Sequence, residues 1–459
     1  MRTESVQRSR SLMTVLILSV LSASVGTSAA NVALPVLASA FGGSFADAQW
    51  VALAYLIAMT ATSGAAGFLG DRMGRPRALL LGTVVFATAS VAAAVAPSLS
   101  VLVLARAVQG AGAAVMMALP LAIGRDIASA GRTGSMMGLL GTIGAVGTAS
   151  GPAAGGLLIS WAGWQPIFWV MAGLGALTAA LASTFALTGS SPTPSRLDLP
   201  GVLLLTSGVA TYAVALTLDV SLWTTGALLV GATVILSAFF AVEQRSTAPM
   251  LPPSLLRGSA LGVGGLLNFI VGTVMMSTLV VGPFFLGGAL GLSSGQIGLV
   301  MAAGPVASAC TGFIAGRIVD TLGPARMTSV GLALMTAGAG ALALLPGWLG
   351  VAGYMAGTVL LAPGYQLFLA ANNTAVLGSI DPSRRGVASG TLNLARNIGM
   401  VTGASAMGLI YTTAAGTADV TTASKDALET GLLVTYLFAA AALVAATAIA
   451  RRAASRSWK

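Results

Sequence analysis

The sequence predicts an all-α integral membrane protein with about fourteen transmembrane helices. Hydrophobic residues make up 56% of the 459 residues and charged residues only 7%, whereas soluble chains carry roughly 25% charged residues. Apolar runs of ~20 residues recur along the chain, and each is long enough to cross a bilayer as a helix. A helix suits lipid because it satisfies its own backbone hydrogen bonds.

The basic residues indicate how the helices are ordered. When fourteen spans are counted, 19 of the 22 lysines and arginines fall in connectors on one side, and the exceptions are Lys425, Arg106 and Arg396. Cytoplasmic connectors carry an excess of lysine and arginine. We therefore expect a multi-pass protein of the bacterial inner membrane with both termini in the cytoplasm. The net charge of +10 is spread over connectors, so it does not predict nucleic-acid binding.

Several classes of protein are disfavoured by what the sequence lacks. The chain has one cysteine, Cys310, and no histidine, so we expect no disulfide, no metal site, no cofactor and no enzymatic activity. It contains no GxxxxGK[ST] loop, which argues against an ATP-driven pump. A non-transporting membrane receptor or scaffold remains a remote alternative.

One pattern occurs twice, 249 residues apart. The first copy, Gly67–Arg77, and the second, Gly316–Arg326, share glycine, aspartate, glycine and arginine at the same four offsets. Parallel repeats organise one large class of transporters. The repeat predicts an N-terminal six-helix half at residues 1–190 and a C-terminal six-helix half at 251–459. Two inserted linker helices would occupy residues 191–250.

Four segments carry a resemblance to the major facilitator superfamily. Gly67–Arg77 resembles its motif between helices 2 and 3, and Leu102–Ala114 resembles its helix 4 motif. Gly147–Gly156 resembles the helix 5 motif of antiporters, and Asn31–Pro35 resembles the helix 1 motif of the fourteen-helix drug:proton antiporter subfamily. The resemblance implies a major facilitator fold and alternating-access, multidrug-type efflux of small amphipathic compounds, coupled to protons.

The repeated pattern is a candidate conformational latch. Its residues are Gly67, Asp71, Arg72, Gly74, Arg75, Arg77, Asp320, Gly323 and Arg326. The resemblance implies that Asp71 contacts the positive N-terminal end of a helix in the other half, near 386–389. Such a contact would exist in one conformer only and would bias the equilibrium between conformers. A solvated cluster of charges remains the alternative.

Two arginines lie inside predicted spans, where charges are rare and usually face a cavity or a partner. Arg106 and Gln109 share a helix face because they are three residues apart. The candidate coupling and transport residues are Arg106, Gln109, Gly110 and Arg396. Two structural alternatives stay open: Arg106 could tie helices together through carbonyl groups, and Arg396 could extend toward the membrane surface.

The fifth span contains glycines at a regular spacing of four residues. The antiporter-type set is Gly147, Gly151, Pro152, Gly155 and Gly156. Glycines at this spacing let helix backbones touch. The resemblance favours a hinge and seal between the two halves, with ordinary close packing as the alternative.

Polar and soft residues in the central spans are candidates for a substrate chamber near the membrane midplane. Methionine and aromatic side chains suit promiscuous ligands because they adapt their contacts. The candidates are Asn31, Tyr55, Met116, Met117, Asn268, Met275, Met276, Tyr365, Gln366, Asn372, Asn373 and Asn393. Helix packing is the alternative role for each of them.

The sequence departs from the drug:proton subfamily in helix 1, where Gly26 stands at the position of an acidic residue. Asp47 is expected to cap helix 2 together with Ser44. Neutral, zwitterionic or anionic lipophiles therefore fit the two buried arginines better than permanent cations do. Protons would enter through Asp71 or together with substrate. The alternative function is export or import of one specific metabolite without classical proton coupling.

The expected partners follow from this interpretation. They are a small lipophilic or amphipathic substrate, protons and membrane lipid, with no nucleic acid. We expect the protein to be a monomer.

Overall fold

The computed structural model describes residues 2–127, 133–186, 199–217, 221–246, 260–380, 385–417, 420 and 422–456. This described part of the chain forms helices joined by short turns, without strands. The long helices are α1 (Arg2–Val32), α2 (Phe45–Met73), α3 (Arg75–Ala94), α4 (Leu99–Ile127), α5 (Thr133–Ala162), α6 (Gln165–Ala186), α7 (Leu199–Thr217), α8 (Leu222–Glu243), α9 (Ala260–Gly288), α10 (Ser294–Leu322), α11 (Pro324–Leu344), α12 (Val351–Gly378), α13 (Arg385–Ala415) and α14 (Lys425–Arg456). A short helix, Leu34–Phe41, continues α1, and another, Pro346–Leu349, precedes α12.

The all-α membrane fold is confirmed, although fewer helices than fourteen are apolar enough to count as spans. Among the described residues, 12 helices qualify by length and composition, and α10 makes up to 13 if its two segments, bent by 50°, form one span. Helix α2 is 29 residues long but does not qualify. It includes Gln49, Thr60 and Ser63, and such side chains are tolerated in a membrane when they face other helices rather than lipid.

The helices pair in the same way in two parts of the chain. In the first part α1 packs on α5, α2 on α4, and α3 on both α4 and α6. In the second part α9 packs on α13, α10 on α12, and α11 on both α12 and α14. Adding eight to each helix number in the first set of pairs gives the second set. We call α1–α6 the first half and α9–α14 the second half. Helix α7 packs on α8 and also contacts α2 and α13.

The sequence repeat corresponds to a structural repeat in α2 and α10. Each helix begins with a capping box, formed by Ser44 with Asp47 and by Ser293 with Gln296. The backbone N–H of Ser44 donates to Asp47 Oδ2 at 2.8 Å, which confirms the predicted cap. Each helix also ends at a glycine with φ 84°, Gly74 or Gly323. Glycine is required there because other residues rarely adopt positive φ.

The two halves contact each other on one side of the membrane. Odd-numbered helices begin on the side where α1 begins (the termini side), and even-numbered helices begin on the opposite side (the far side). The Phe45 ring lies edge-on to Phe284, with centroids 4.5 Å apart, and 6.1 Å from the Tyr411 ring. A Cβ built on Gly156 of α5 would lie 2.8 Å from the Cα of Gly298 in α10. All five residues lie near the far-side ends of their helices, so the halves are closed there.

Within the second half, α13 packs directly against the backbone of α9. A Cβ on Gly399 would overlap the carbonyl oxygen of Phe269, and one on Gly403 would overlap that of Thr273. A Cβ on Gly272 would in turn overlap the carbonyl oxygen of Arg396. The α9–α13 distance is therefore set by glycines on both helices.

Replacing Gly403 by valine should destabilise the protein. The new side chain would push α13 away from the Thr273 carbonyl, and overpacking of this kind costs about 1–3 kcal/mol. Thermal stability of the purified protein, followed by size-exclusion chromatography after heating, would measure the loss. Gly340→Val is the matched control because nothing lies within 4 Å of a Cβ at Gly340. Equal melting temperatures for the two variants would contradict the backbone contact.

Candidate functional site

A cavity of about 200 Å³ lies between the two halves. Its wall comes from α2, α4 and α13, which places it on the termini side, away from the closed contacts. The lining residues are Met59, Ser63, Ala114, Met117, Ala118, Leu121, Gly390, Asn393, Leu394, Arg396 and Asn397. Most of them recur every three or four residues, as in 59 and 63, in 114, 117, 118 and 121, and in 390, 393, 394 and 397, so they share one face of each helix. The cavity thus combines one face from each of three helices.

The wall of this cavity is mostly apolar, and its polar groups are Ser63 on α2 and three side chains on α13. Asn393 Nδ2 donates to the carbonyl oxygen of Ser389 at 3.1 Å. Arg396 Nε and Asn397 Oδ1 are buried and have no hydrogen-bond partner among the described residues. Arg396 is the charged residue among those that line the cavity. Apart from Ser63, the side chains on α2 and α4 that line the cavity are methionine, leucine and alanine.

The second mid-span arginine, Arg106, lies in a different environment. Its side chain is completely buried, and its Nε donates to the carbonyl oxygen of Val51 at 2.9 Å. Its Nη1 donates to Gln109 Oε1, and its Cζ lies 4.1 Å from the centre of the Tyr55 ring. This distance is within the range of a cation–π contact. Arg106 does not line the cavity.

Gln109 extends the Arg106 cluster to two further helices. Its Nε2 donates to Ser90 Oγ on α3 at 2.6 Å and contacts Met171 Sδ on α6 at 3.4 Å. The hydroxyl of Tyr55 donates to the carbonyl oxygen of Ala23 on α1 at 2.8 Å. Gly110 allows α4 to touch the Tyr55 backbone, since a Cβ there would overlap the Tyr55 carbonyl. The cluster joins five helices of the first half, which is the helix-tying role that the sequence left open.

The arginine in this cluster has no carboxylate partner among the described residues, and its Nη2 has no hydrogen-bond partner there. A buried charge is costly unless its donors are satisfied. The Val51 carbonyl, the Gln109 amide and the face of Tyr55 supply that compensation.

Ten of the twelve residues predicted for a substrate chamber lie outside the wall of this cavity, and the other two, Met117 and Asn393, line it. In the first half, Asn31, Tyr55 and Met116 are fully buried. Asn31 Nδ2 donates to the carbonyl oxygen of Thr27 in its own helix at 2.9 Å. All three contribute to helix packing in this conformer.

In the second half, two of the predicted residues join three helices. Asn372 Nδ2 on α12 donates to Asn268 Oδ1 and to the carbonyl oxygen of Gly264, both at 3.1 Å. Asn268 Nδ2 on α9 donates to the carbonyl oxygen of Leu392 on α13, also at 3.1 Å. Of the other predicted residues, Met276 is fully buried, and Met275, Tyr365, Gln366 and Asn373 are partly exposed.

The glycine set of α5 divides between two partners. Cβ atoms on Gly147 and Gly155 would lie 2.7 Å from Ser24 Cβ and 2.8 Å from the carbonyl oxygen of Ala29, both on α1. Gly151 faces the same helix at Ser28 and Ala29. This part of the set therefore packs inside the first half.

The other members of the set meet α10 of the second half. The carbonyl oxygen of Pro152 and the Cα of Gly156 both lie against Gly298. Pro152 and Gly156 are therefore the members that lie between the halves.

The structure describes the latch residues only in part. Arg72 and Arg77 at the end of α2 and the start of α3 are exposed, as are Asp320 and Arg326 at the repeated position, and Arg75 is half-buried. The side chain of Asp71, the environment of Gly67 and the side chains of residues 385–387 lie outside the described residues. The latch contact stays a prediction.

Replacing Arg106 by methionine should lower thermal stability, because the buried Gln109 Oε1 would lose its donor. An unsatisfied buried acceptor costs about 1–3 kcal/mol. The double variant Arg106→Met with Gln109→Met should recover part of the loss, because it removes both partners. Melting temperatures of the two variants and of Arg396→Met, as a control arginine, test this. An unchanged melting temperature for Arg106→Met would contradict a packing role.

Comparison with known proteins shows to which family the chain belongs. A family model of the Major Facilitator Superfamily matches residues 16–276 and 261–457. The chain is 33% identical over 386 residues to the uncharacterized transporter YebQ of Escherichia coli (strain K12), covering 83% of this chain and 84% of that protein. It is 30% identical over 388 residues to the drug efflux pump JefA of Mycobacterium tuberculosis (strain ATCC 25618 / H37Rv), covering 83% and 76%.

The fold is also found among solved structures. A bacterial homolog of the human lysosomal transporter Spinster, in an inward-facing and occupied conformation, matches with a TM-score of 0.69 and 16% identity. The match covers 98% of this chain and 97% of that one. The repeated helix pairing, the cavity between the halves and the family match agree. The chain belongs to the major facilitator superfamily and is a transporter, not an enzyme.

Proposed function

We propose that the protein exports small amphipathic compounds by alternating access and that the cavity between α2, α4 and α13 holds the substrate. One observation carries the proposal: the halves touch on the far side while a cavity separates them on the termini side. Two repeated halves around a central site can rock to expose that site to either face. With the termini in the cytoplasm, as the basic residues predict, this conformer would receive substrate from inside the cell.

The substrate class follows from the cavity wall and from the relatives. Met59 and Met117 are flexible, polarisable side chains that adapt to ligands of different shape. One relative is named a drug efflux pump, which supports export of foreign amphipathic compounds. The two additional helices, α7 and α8, support placement in the fourteen-helix drug:proton antiporter subfamily.

Proton coupling requires a titrating group outside helix 1. A Cβ on Gly26 would lie 2.9 Å from the Tyr55 hydroxyl and 3.1 Å from the Phe86 ring. A carboxylate side chain has no space there in this conformer. We assign the coupling role to Asp71 in the last turn of α2, where protonation would weaken a latch between the halves.

A second candidate function is export of one dedicated metabolite without proton coupling. It is favoured by the cavity wall itself, because none of the described residues that line the cavity is acidic. Efflux that ignores a protonophore and is restricted to one compound would identify this alternative.

Gly156→Leu should abolish efflux while the protein still folds. A leucine would hold α5 away from Ser294 and Gly298 on α10. A misfit of about 1–3 kcal/mol would lower the population of the far-side-closed conformer about 5- to 150-fold. Dye efflux from bacteria that lack their own pumps measures the effect, with protein level and melting temperature measured in parallel.

The matched control for this variant is Gly173→Leu on α6, where nothing lies within 4 Å of a Cβ. It should export dye at close to the wild-type rate. Normal efflux by Gly156→Leu would show that closure at α5 and α10 is not part of the cycle. Absence of efflux of every amphipathic dye by the wild-type protein would reject the export proposal.

Asp71→Asn should reduce efflux about tenfold, since a contact worth about 1.4 kcal/mol shifts a population by that factor. The protonophore should remove the efflux that the wild-type protein shows. Asp320→Asn, at the repeated position, is the comparison and should cause a smaller loss. Equal rates for wild type and Asp71→Asn, each insensitive to the protonophore, would favour the uncoupled alternative.

A further inference from the structure

We propose that the cavity selects amphipathic anions, molecules in which one carboxylate, sulfonate or phosphate group is attached to an apolar body. Arg396 would hold the anionic group, and the side chains of α2 and α4 would hold the apolar body. This inference rests on the proposed function because it takes the cavity between the halves as the substrate site. It adds the charge of the substrate, which the family does not specify.

The guanidinium of Arg396 is placed to receive an anion. Its Nε is buried and donates to no described residue, and none of the described residues that line the cavity with it is acidic. Arginine stays protonated and presents several donors in a planar fork that matches carboxylate, sulfonate and phosphate oxygens. An anionic ligand would supply the acceptors that the protein does not.

Arg396 lies inside the membrane-spanning part of α13, on its termini side. It follows Arg385, the first residue of this 31-residue helix, by 11 positions, which corresponds to about 16 Å of a helix about 46 Å long. With a hydrocarbon core about 30 Å thick centred on α13, Arg396 lies about 6 Å from the middle of the core. The backbone there is fixed, because the Arg396 carbonyl packs against Gly272 of α9.

The rest of the wall matches the two parts of such a ligand. Met59, Met117 and Leu121 form an apolar surface across the cavity from α13. On α13 itself, Asn397 presents a buried Oδ1 without a described partner, which would accept from a hydroxyl or N–H group of the ligand. A quaternary ammonium compound of the same size would meet a positive charge, and no carboxylate, among the described residues of this wall.

The two mid-span arginines are therefore not equivalent. Arg106 uses its Nε and Nη1 inside the first half, on Val51 and Gln109, and is shut off from the cavity. Arg396 alone of the two reaches the cavity. Substrate charge should therefore depend on Arg396 and not on Arg106.

The test uses two probes of matched shape and opposite charge, 2-naphthalenesulfonate and 2-naphthyltrimethylammonium. Calorimetric titration into the purified full-length protein gives the affinity of each. The wild-type protein should bind the sulfonate at least about tenfold more tightly than the ammonium compound, since about 1.4 kcal/mol of charge pairing suffices for that ratio. Arg396→Gln should lose the preference, and Arg396→Lys should keep it in reduced form.

The matched control is Arg451→Gln, which removes an exposed arginine on α14 from the same side of the molecule. It should bind both probes as the wild-type protein does, and melting temperatures should show that every variant is folded. Equal affinity of the wild-type protein for the two probes, or unchanged sulfonate binding by Arg396→Gln, would overturn the proposal.

Two further experiments are needed. The first distinguishes a lipid headgroup from a free amphiphile as the source of the anion, and the second distinguishes failure of the anion site from failure of the export proposal. In nanodiscs, competition of phosphatidylglycerol with the sulfonate in wild type, but not in Arg396→Gln, would identify a lipid headgroup as an occupant. If phosphatidylglycerol does not compete, the site binds free amphiphiles. Both outcomes support an anion site at Arg396. Counterflow in proteoliposomes tests transport itself. Sulfonate binding without counterflow would reject export yet support the anion site, while faster counterflow of the ammonium compound would reject only the anion site.

Discussion

Direct backbone contact at glycines is the constraint on which the arrangement of the helices depends. Lipid is as apolar as the helix surfaces, so van der Waals packing rather than burial from water must hold the helices together. Gly147 and Gly155 bring α5 onto α1, and Gly399 and Gly403 bring α13 onto α9. The same two helices, α5 and α13, then present Gly156 and Gly408 to the opposite half. The packing within each half and the contact between the halves are thus built on the same pair of helices.

The cavity follows from where these contacts lie. Gly156 and Gly408 both sit toward the far-side ends of their helices, so the halves meet there. On the termini side the facing segments of α2, α4 and α13 carry Met117, Leu394 and other side chains that leave about 200 Å³ between them. Helix α7 contacts both α2 and α13, so it borders the seam between the halves. A rocking motion that opened the far side would have to separate these glycine contacts and also move the Phe45 ring away from Phe284 and Tyr411.

Much of this architecture could be predicted from the sequence. Composition and the distribution of arginines predict the membrane helices. The pattern repeated after 249 residues predicts two halves, and it contains the glycines that end α2 and α10, Gly74 and Gly323. The face that each helix turns to the cavity could not be predicted. Met116 and Met117 are neighbours, yet Met116 is fully buried and Met117 lines the cavity. In a soluble helix, polar residues mark the outer face. Here the lipid-facing and the buried faces are both apolar, so residue spacing shows which residues share a face but not whether that face points to lipid, to another helix or to the cavity.

The different environments of Arg106 and Arg396 affect how substrate binding is linked to the conformational change. Closing the cavity around an unpaired guanidinium would move a charge out of water without a partner, which is strongly unfavourable. An anion bound at the proposed site would neutralise Arg396 and remove that cost, so the loaded cavity would close more easily than the empty one. Differential binding to two conformers is sufficient to shift their populations. On this account the substrate itself supplies the negative charge that helix 1 cannot hold, because Gly26 is packed against Tyr55 and Phe86.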